Sequence, residues 1–129
     1  MRRERGSAAL LLIAVVCLVL VMTIGVADAG LALAGRLRAA AAADAAALAA
    51  APVTFRPFGA TGSPAEEARR LATANGSVLV SCRCPIDRSW LPRTVEVAVE
   101  QRVALLGIGS IVTRATSRAE FDPGALLGP

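Results

Sequence analysis

Residues 7–26 form an uninterrupted apolar segment, and this segment constrains the chain more than any other feature. It reads SAALLLIAVVCLVLVMTIGV, contains no charged residue, and is followed by Asp28 as the first acid. Twenty residues of α-helix span about 30 Å, which is the thickness of the hydrocarbon core of a bilayer. The segment therefore predicts a transmembrane helix at residues 7–27. Everything downstream is then either tethered to a membrane or a cleaved product of such a chain.

The residues that flank the apolar segment predict its orientation. Residues 1–6, MRRERG, form a short basic head, and basic heads are retained in the cytoplasm. Arg36 and Arg38 follow on the other side and weaken this bias without reversing it. We expect a single-pass protein of the cell membrane with a cytoplasmic N-terminus and an extracytoplasmic C-terminal domain.

A cleaved secretion signal is the alternative interpretation of the same segment. Such signals have an apolar region of about 7–15 residues followed by a small-x-small cleavage site. The stretch from Val26 to Ala29 fits such a site. The apolar run is longer than a signal needs, and this length favours a retained span.

The helical pattern continues beyond the membrane segment. Residues 28–51 contain no proline and are dominated by alanine and leucine, which are strong helix formers. Pro52 lacks a backbone donor and disfavours helical geometry before it, so we expect one helix from Ser7 to Ala51. The alanine-rich stalk from Ala39 to Ala51 is either a plain spacer or a smooth surface for packing against helices of other subunits. We favour the second interpretation.

A linker and a short helix follow the stalk. Residues 52–63 contain several prolines and glycines and are predicted to be a loop, from which Phe55 and Phe58 dock on the distal domain. Ser63 and Glu66 have the spacing of a capping box, with Pro64 at the first helical position. This helix is expected to end at Asn75-Gly76.

Two patterns are predicted on the short helix itself. One face should carry an apolar stripe, formed by Ala65, Ala68, Leu71 and Ala72. Glu66 and Arg70 should form an i, i+4 pair on the solvated face.

Three strands with alternating apolar residues are predicted after this helix. The first, 77–83, should place Val78, Val80 and Cys82 on one face. The second, 94–103, should bury Val95, Val97, Val99 and Val103, and the third, 111–121, should alternate Ile111, Thr113 and Ala115 with arginines. The predicted fold class is α+β: a long N-terminal transmembrane and stalk helix, then a small domain at 64–121 with one helix on a three-stranded antiparallel sheet. Residues 122–129 are expected to be a loose tail.

Composition narrows the chemistry of the chain. All 14 basic residues are arginine, and histidine is absent, which removes the commonest general base and metal ligand. The arginines are scattered and nearly balanced by acids after Pro52, and aromatic residues are few, unlike a nucleic-acid interface. The glycines around residue 108 lack the pattern of a dinucleotide loop. We expect no catalytic residue, no cofactor, no metal site and no nucleic-acid partner.

Cys82 and Cys84 form the one reactive motif of the distal domain. Two cysteines at this spacing on an extended strand have Cα atoms about 6.5–7 Å apart, so a disulfide needs a bend, which Pro85 can supply. The open interpretations are a structural disulfide, unpaired or intermolecular thiols, and a thiol-based redox function. A CxxC motif at a helix start, which a thioredoxin-like enzyme requires, is absent.

The N-terminal third resembles the TadE/TadG-like proteins of the tight-adherence (Flp) pilus system. The resemblance lies in Glu4-Arg5-Gly6-Ser7-Ala8 before the apolar run and in RAAAAADAAALAAA at 38–51 after it. Residues 74–82 and 95–99 look like the short actinobacterial branch of the family. The resemblance implies a membrane-anchored pseudopilin or an assembly component of a pilus or secretion machine, in contact with the bilayer and with other membrane subunits.

The resemblance also bears on processing and on the cysteines. In TadE-type members a prepilin peptidase cuts after a glycine that is followed by glutamate five residues on. Here the glycine is Gly6, followed by Ser7, but the fifth position holds Leu11, and this points to the uncleaved, TadG-like variant. Relatives of the short branch often pair a strand cysteine with a cysteine of the domain helix. Since residues 64–74 contain none, Cys84 is a substitute partner or the bridge is lost.

Overall fold

The small domain is built around the second half of one very long helix. The computed structural model describes residues 4–56, 62–107 and 109–128. The elements are two helices, α1 (Glu4–Val53) and α2 (Pro64–Ala74), three strands, β1 (Val78–Arg83), β2 (Arg93–Leu105) and β3 (Gly109–Phe121), and a 3₁₀ turn at Gly124–Leu127. The strands form an antiparallel sheet in the order β1-β2-β3. The predicted fold class is therefore confirmed.

Helix α1 is continuous, and it runs slightly further than predicted at both ends. It begins at Glu4 and passes through Pro52 to Val53. Pro52 has no amide hydrogen to donate to the Leu48 carbonyl, and the helix ends one residue later, at Val53. The helix ends in tight turns, in which Thr54 N donates to Ala51 O and Phe55 N donates to Pro52 O, both at 3.2 Å.

The alanine-rich half of α1 forms the core of the domain, and this corrects the interpretation of a projecting stalk. Its alanines lie against β2, β3 and α2 of the same chain, and the fully buried ones are Ala39, Ala42, Ala43, Ala46, Ala47 and Ala50. The valines of β2 fill the space opposite them. Small residues allow a sheet to approach a helix closely, and here they serve the chain's own fold on that face.

The pattern of β2 and β3 follows the prediction. Val95, Val97, Val99 and Val103 are buried on the helix-facing side of β2. Thr113 and Ala119 of β3 are buried on the same side. The two strands pair over their whole length, from Arg93 opposite Phe121 to Leu105 opposite Gly109.

The prediction of which β1 side chains face the core is wrong for the first half of the strand. Leu79 pairs with Val99 and Ser81 pairs with Ala98, so Val80 is an extra residue in a β-bulge. A bulge shifts the alternation by one residue. Leu79 and Cys82 therefore pack against the core, while Val78 and Val80 are exposed.

Helix α2 begins with the predicted capping box. Glu66 N donates to Ser63 Oγ at 3.1 Å, and Ser63 N donates to Glu66 Oε2 at 2.8 Å. The hydrogen bond that Ser63 N donates to the carboxylate is the main reason that the pKa of Glu66 is lowered. The predicted Glu66–Arg70 pair is wrong, because Glu66 is engaged in the cap and Arg70 pairs with Glu67 instead.

The remaining features of α2 and of the chain end are partly as predicted. Ala68 and Ala72 are buried, and the helix ends at Asn75-Gly76, where Gly76 has φ +72°. The C-terminal segment is more ordered than the expected loose tail, since Pro123 is fully buried before the 3₁₀ turn. Phe55 docks on the domain as predicted, whereas Phe58 lies outside the described residues.

Gly35 marks the closest approach between α1 and the sheet. A Cβ atom at this position would overlap Cγ2 of Val103 and lie 3.3 Å from its Cβ. Gly30, one and a half turns earlier on the same helix, has no atom within 4 Å of the corresponding point. The fold therefore requires glycine at position 35 but not at position 30.

We expect Gly35→Ala to destabilise the domain and Gly30→Ala to stabilise it. Overpacking costs about 1–3 kcal/mol, and the better helix propensity of alanine offsets about 1 kcal/mol of that. Denaturant unfolding in detergent micelles, followed by the emission of Trp90, measures both variants. Equal effects of the two substitutions would contradict the close approach of Val103.

Candidate functional site

The first half of α1 is exposed over most of its length in the described part of the chain. Its large apolar side chains are all exposed, from Leu10 through Val26. Within the chain, this half is long and apolar enough to cross a membrane, and none of its most apolar window is buried. Contiguous exposed apolar surface of this kind marks a membrane or protein contact.

Asp28 lies where the exposed half of α1 meets the domain. Its side chain is buried, with 7% relative exposure. Oδ1 accepts a hydrogen bond from Leu106 N at 2.6 Å, and Oδ2 accepts one from Gly107 N at 3.0 Å. Both amides belong to the turn that follows β2, beyond the last strand pair at Leu105. The carboxylate thus satisfies turn donors that the sheet leaves free.

Gly107 brings this turn against the last part of the apolar segment. A Cβ atom on Gly107 would lie 3.0 Å from Cγ2 of Ile24 and 3.1 Å from Oδ2 of Asp28. The turn therefore reaches back along α1 as far as the predicted membrane span. The sequence predicts this turn only as a connection between two strands. No local spacing relates residues 28 and 106, and the one available signal was the position of Asp28 as the first acid after the span.

A second junction lies at the opposite end of the sheet, around Arg93. This arginine is buried at 8% exposure, and its guanidinium donates to the backbone carbonyls of Thr54, Asp87, Ser89 and Leu91. The Asp87 carbonyl is 2.6 Å away. The hydroxyl of Ser89, and then its amide, lower the pKa of Asp87. Arg93 therefore ties the connection between β1 and β2 to the end of α1.

Aromatic side chains complete the distal junction. The rings of Phe55 and Trp90 pack edge to face with centroids 4.8 Å apart, and Phe121 lies 6.4 Å from Phe55. The guanidinium carbon of Arg93 lies 5.5 Å from the centroid of Phe55. This arrangement buries an apolar ring under a cation and is a stabilising packing feature.

The cysteines fall into two environments. Cys82 and Cys84 are partly buried against the core, with Cα atoms 5.4 Å apart and their sulfur atoms in bonding contact. Their separation is shorter than in an extended strand because Cys84 lies beyond Arg83, the last residue of β1. Cys17 is exposed on the apolar half of α1. Gly6 and Ser7, the residues at the predicted processing site, lie in the first turns of α1.

The polar surface of the sheet carries ion pairs. Arg118 Nε donates to Glu96 Oε2 at 2.7 Å, and Arg114 pairs with Glu100 across the same two strands. Exposed pairs of this kind contribute little stability. Within 4–56, 62–107 and 109–128, no three metal-ligating side chains come together.

These features define a class. The chain is a single-pass membrane protein whose apolar helix continues, without a break, into the core of a small α+β domain.

Comparison with known proteins finds a family similarity for α1. Residues 6–53 match the family model described as putative Flp pilus-assembly TadE/G-like. The match covers α1 and not the rest of the domain, and together with the apolar helix it supports a Flp pilus assembly-related membrane protein. No curated protein and no solved structure matches.

We expect Asp28→Ala to loosen the turn between β2 and β3. Hydrogen bonds to a charged group contribute about 1.5–3 kcal/mol, and two turn amides lose their acceptor in this variant. Asp44→Ala is the control, because Asp44 is exposed and, among the described residues, accepts a side-chain hydrogen bond from the hydroxyl of Ser117 and not from the turn.

Amide hydrogen exchange at Leu106 and Gly107 measures the effect directly. Exchange at both amides should accelerate strongly in Asp28→Ala and remain unchanged in Asp44→Ala. Unchanged exchange in Asp28→Ala would show that the carboxylate does not hold the turn.

Proposed function

We propose that this chain is a membrane-anchored, non-enzymatic component of a Flp-type pilus or secretion assembly. The observation that carries the proposal is the extent of the family match. It ends at residue 53, which is also the last residue of α1. The part shared with the family is thus the helix that holds the chain in the membrane and organises its domain.

The proposed layout assigns a place to each segment. Residues 1–6 are a cytoplasmic head, 7–27 cross the bilayer once, and the rest lies outside the cytoplasm. Residues 28–51, the linker 52–63, the region 64–121 and the tail 122–129 then form one extracytoplasmic body. The burial of the alanine-rich half of α1 supports this grouping.

The outward face of α1 is the proposed contact with other membrane subunits. Leu33, Leu37 and Leu48 are exposed on the side away from the sheet, Leu37 at 64%. At 100° per residue they fall within a sector of about 60°, so they form one stripe. The stripe continues the exposed face of the membrane segment, and small residues between the leucines permit close helix packing.

We expect a photo-crosslinking side chain at Leu37 to capture a membrane subunit of the same pilus system. The matched control is the same side chain at Leu127, which is 70% exposed but lies in the 3₁₀ turn after β3. Mass spectrometry of adducts formed in cells identifies the partner. Adducts of Flp-system subunits at Leu127 but not at Leu37 would contradict the proposed surface, and no such adduct at either site would contradict the function.

Retention of the complete N-terminus is the proposed processing outcome. Leu11 stands where prepilin-type cutting would call for glutamate. A cut near Ala29 would remove Asp28 and with it the acceptor for two turn amides. Both considerations favour an uncut anchor over a pilin-type subunit or a secreted protein.

A disulfide between Cys82 and Cys84 is proposed as a structural feature of the extracytoplasmic domain. The 5.4 Å separation of the Cα atoms lies within the range that disulfides require. An exported domain also meets an oxidising compartment. The ring it closes is small, so its contribution to stability is modest, about 1–2 kcal/mol.

We expect the protein purified from membranes to keep Met1 and to contain one free thiol. Alkylation under denaturing conditions should add one group, at Cys17, and three groups after reduction. Intact mass measurement reports both properties. A chain that starts at Ser7 or near Ala29 would contradict retention, and three alkylated thiols without reductant would leave the thiol protein as the better alternative.

A further inference from the structure

We propose that the turn after β2 is a second membrane contact of this protein. The hairpin tip, defined here as residues 105–107, would rest in the boundary between lipid headgroups and acyl chains beside α1. This inference depends on the proposed span at residues 7–27. Its occupant is the bilayer that α1 itself crosses.

The position of the hairpin tip is determined by its contacts with α1. Gly107 lies against Ile24, inside the span, and the amides of Leu106 and Gly107 are bonded to Asp28, one residue beyond it. A helix that crosses at residues 7–27 brings residues 24–28 to the edge of the hydrocarbon core. The contacts therefore hold the tip at the same depth.

The chemistry of the hairpin tip suits this depth. Leu106 is 72% exposed, so its side chain is free to enter the boundary region. The backbone donors of Leu106 and Gly107 already have the Asp28 carboxylate as their acceptor. Entry into a less polar medium therefore does not strand those two N–H groups, which is otherwise the main cost of inserting a turn.

Apart from Asp28, the charged residues nearest to the hairpin tip along α1 and β2 are arginines, and acids follow further away. Arg102 lies four residues back along β2, or about 13 Å, and Arg36 lies eight residues beyond Asp28 on α1, or about 12 Å. In the described parts of α1, β2 and β3, the tip end carries no charged side chain nearer than these, apart from Asp28. The next acids along those elements, Asp44 and Glu100, lie further away.

This order of charges matches a bilayer surface. The headgroup layer is about 5–8 Å thick on each side of the hydrocarbon core, and arginine side chains extend along it toward phosphates. An apolar tip followed by exposed arginines and then by acids places each group at a suitable depth. The domain would therefore rest on the membrane rather than stand away from it.

Tryptophan probes in the full-length chain test the inference. Leu106→Trp is compared with Leu91→Trp, because Leu91 is equally exposed at 69% but lies before the other end of β2, about 43 Å away by strand rise. Each variant is reconstituted in phosphatidylcholine vesicles with or without bromine near the start of the acyl chains. The parent chain supplies the contribution of Trp90 to be subtracted.

We expect brominated lipid to quench the Leu106→Trp probe at least twofold more than the Leu91→Trp probe. Ser110→Trp, on the exposed start of β3, provides a second probe should substitution at Leu106 disturb the turn, and it should also be quenched more than Leu91→Trp. Equal quenching of the tip and distal probes would overturn the inference.

A probe within the span separates the two ways in which the experiment can fail. Val16→Trp should be quenched more than Leu91→Trp, and most strongly when the bromine is placed near the ends of the acyl chains, since Val16 lies near the middle of the proposed span. If it is quenched and the tip probes are not, the second contact is wrong while the anchor stands. If Val16→Trp is not quenched, the proposed span itself is wrong.

Discussion

Helix α1 is exposed and apolar along its first half and packs into the domain core along its second half, and the rest of the structure depends on this division. The first half of α1 exposes leucine, isoleucine and valine on every side, which suits a lipid environment. The second half replaces these with alanine and packs one face on a sheet. Because the helix does not break between them, α1 fixes the position of the domain relative to the apolar segment.

Close packing explains why alanine and glycine occupy the domain half of α1. A sheet that carries valine at most inward positions of its central strand can approach a helix closely only where that helix is narrow. Gly35 beside Val103 is the extreme case, where even a methyl group would overlap the neighbour. The absence of large side chains on this face is thus a steric requirement of the fold.

The sheet is attached to α1 at both ends by polar groups rather than by its core alone. Near the membrane, the Asp28 carboxylate accepts from the amides after β2. At the distal end, Arg93 donates to carbonyls of the connecting segments beneath Phe55 and Trp90. Each side chain supplies what the irregular backbone lacks, an acceptor in one case and donors in the other. Together they attach both ends of the sheet to α1 and to the segment that follows it.

Local sequence patterns were sufficient to predict the helices and strands themselves. The apolar run, the Ser63–Glu66 cap and the alternating valines of β2 each depend on neighbours within a few residues, and each was predicted correctly. Tertiary structure alone decided what the elements contact. Whether the alanines face another subunit or the chain's own sheet, whether Val80 forms a bulge, and which donors Asp28 meets all depend on residues far apart in the sequence. A periodic pattern shows that a face must be covered, but the covering partner is selected by the three-dimensional fit of the whole domain.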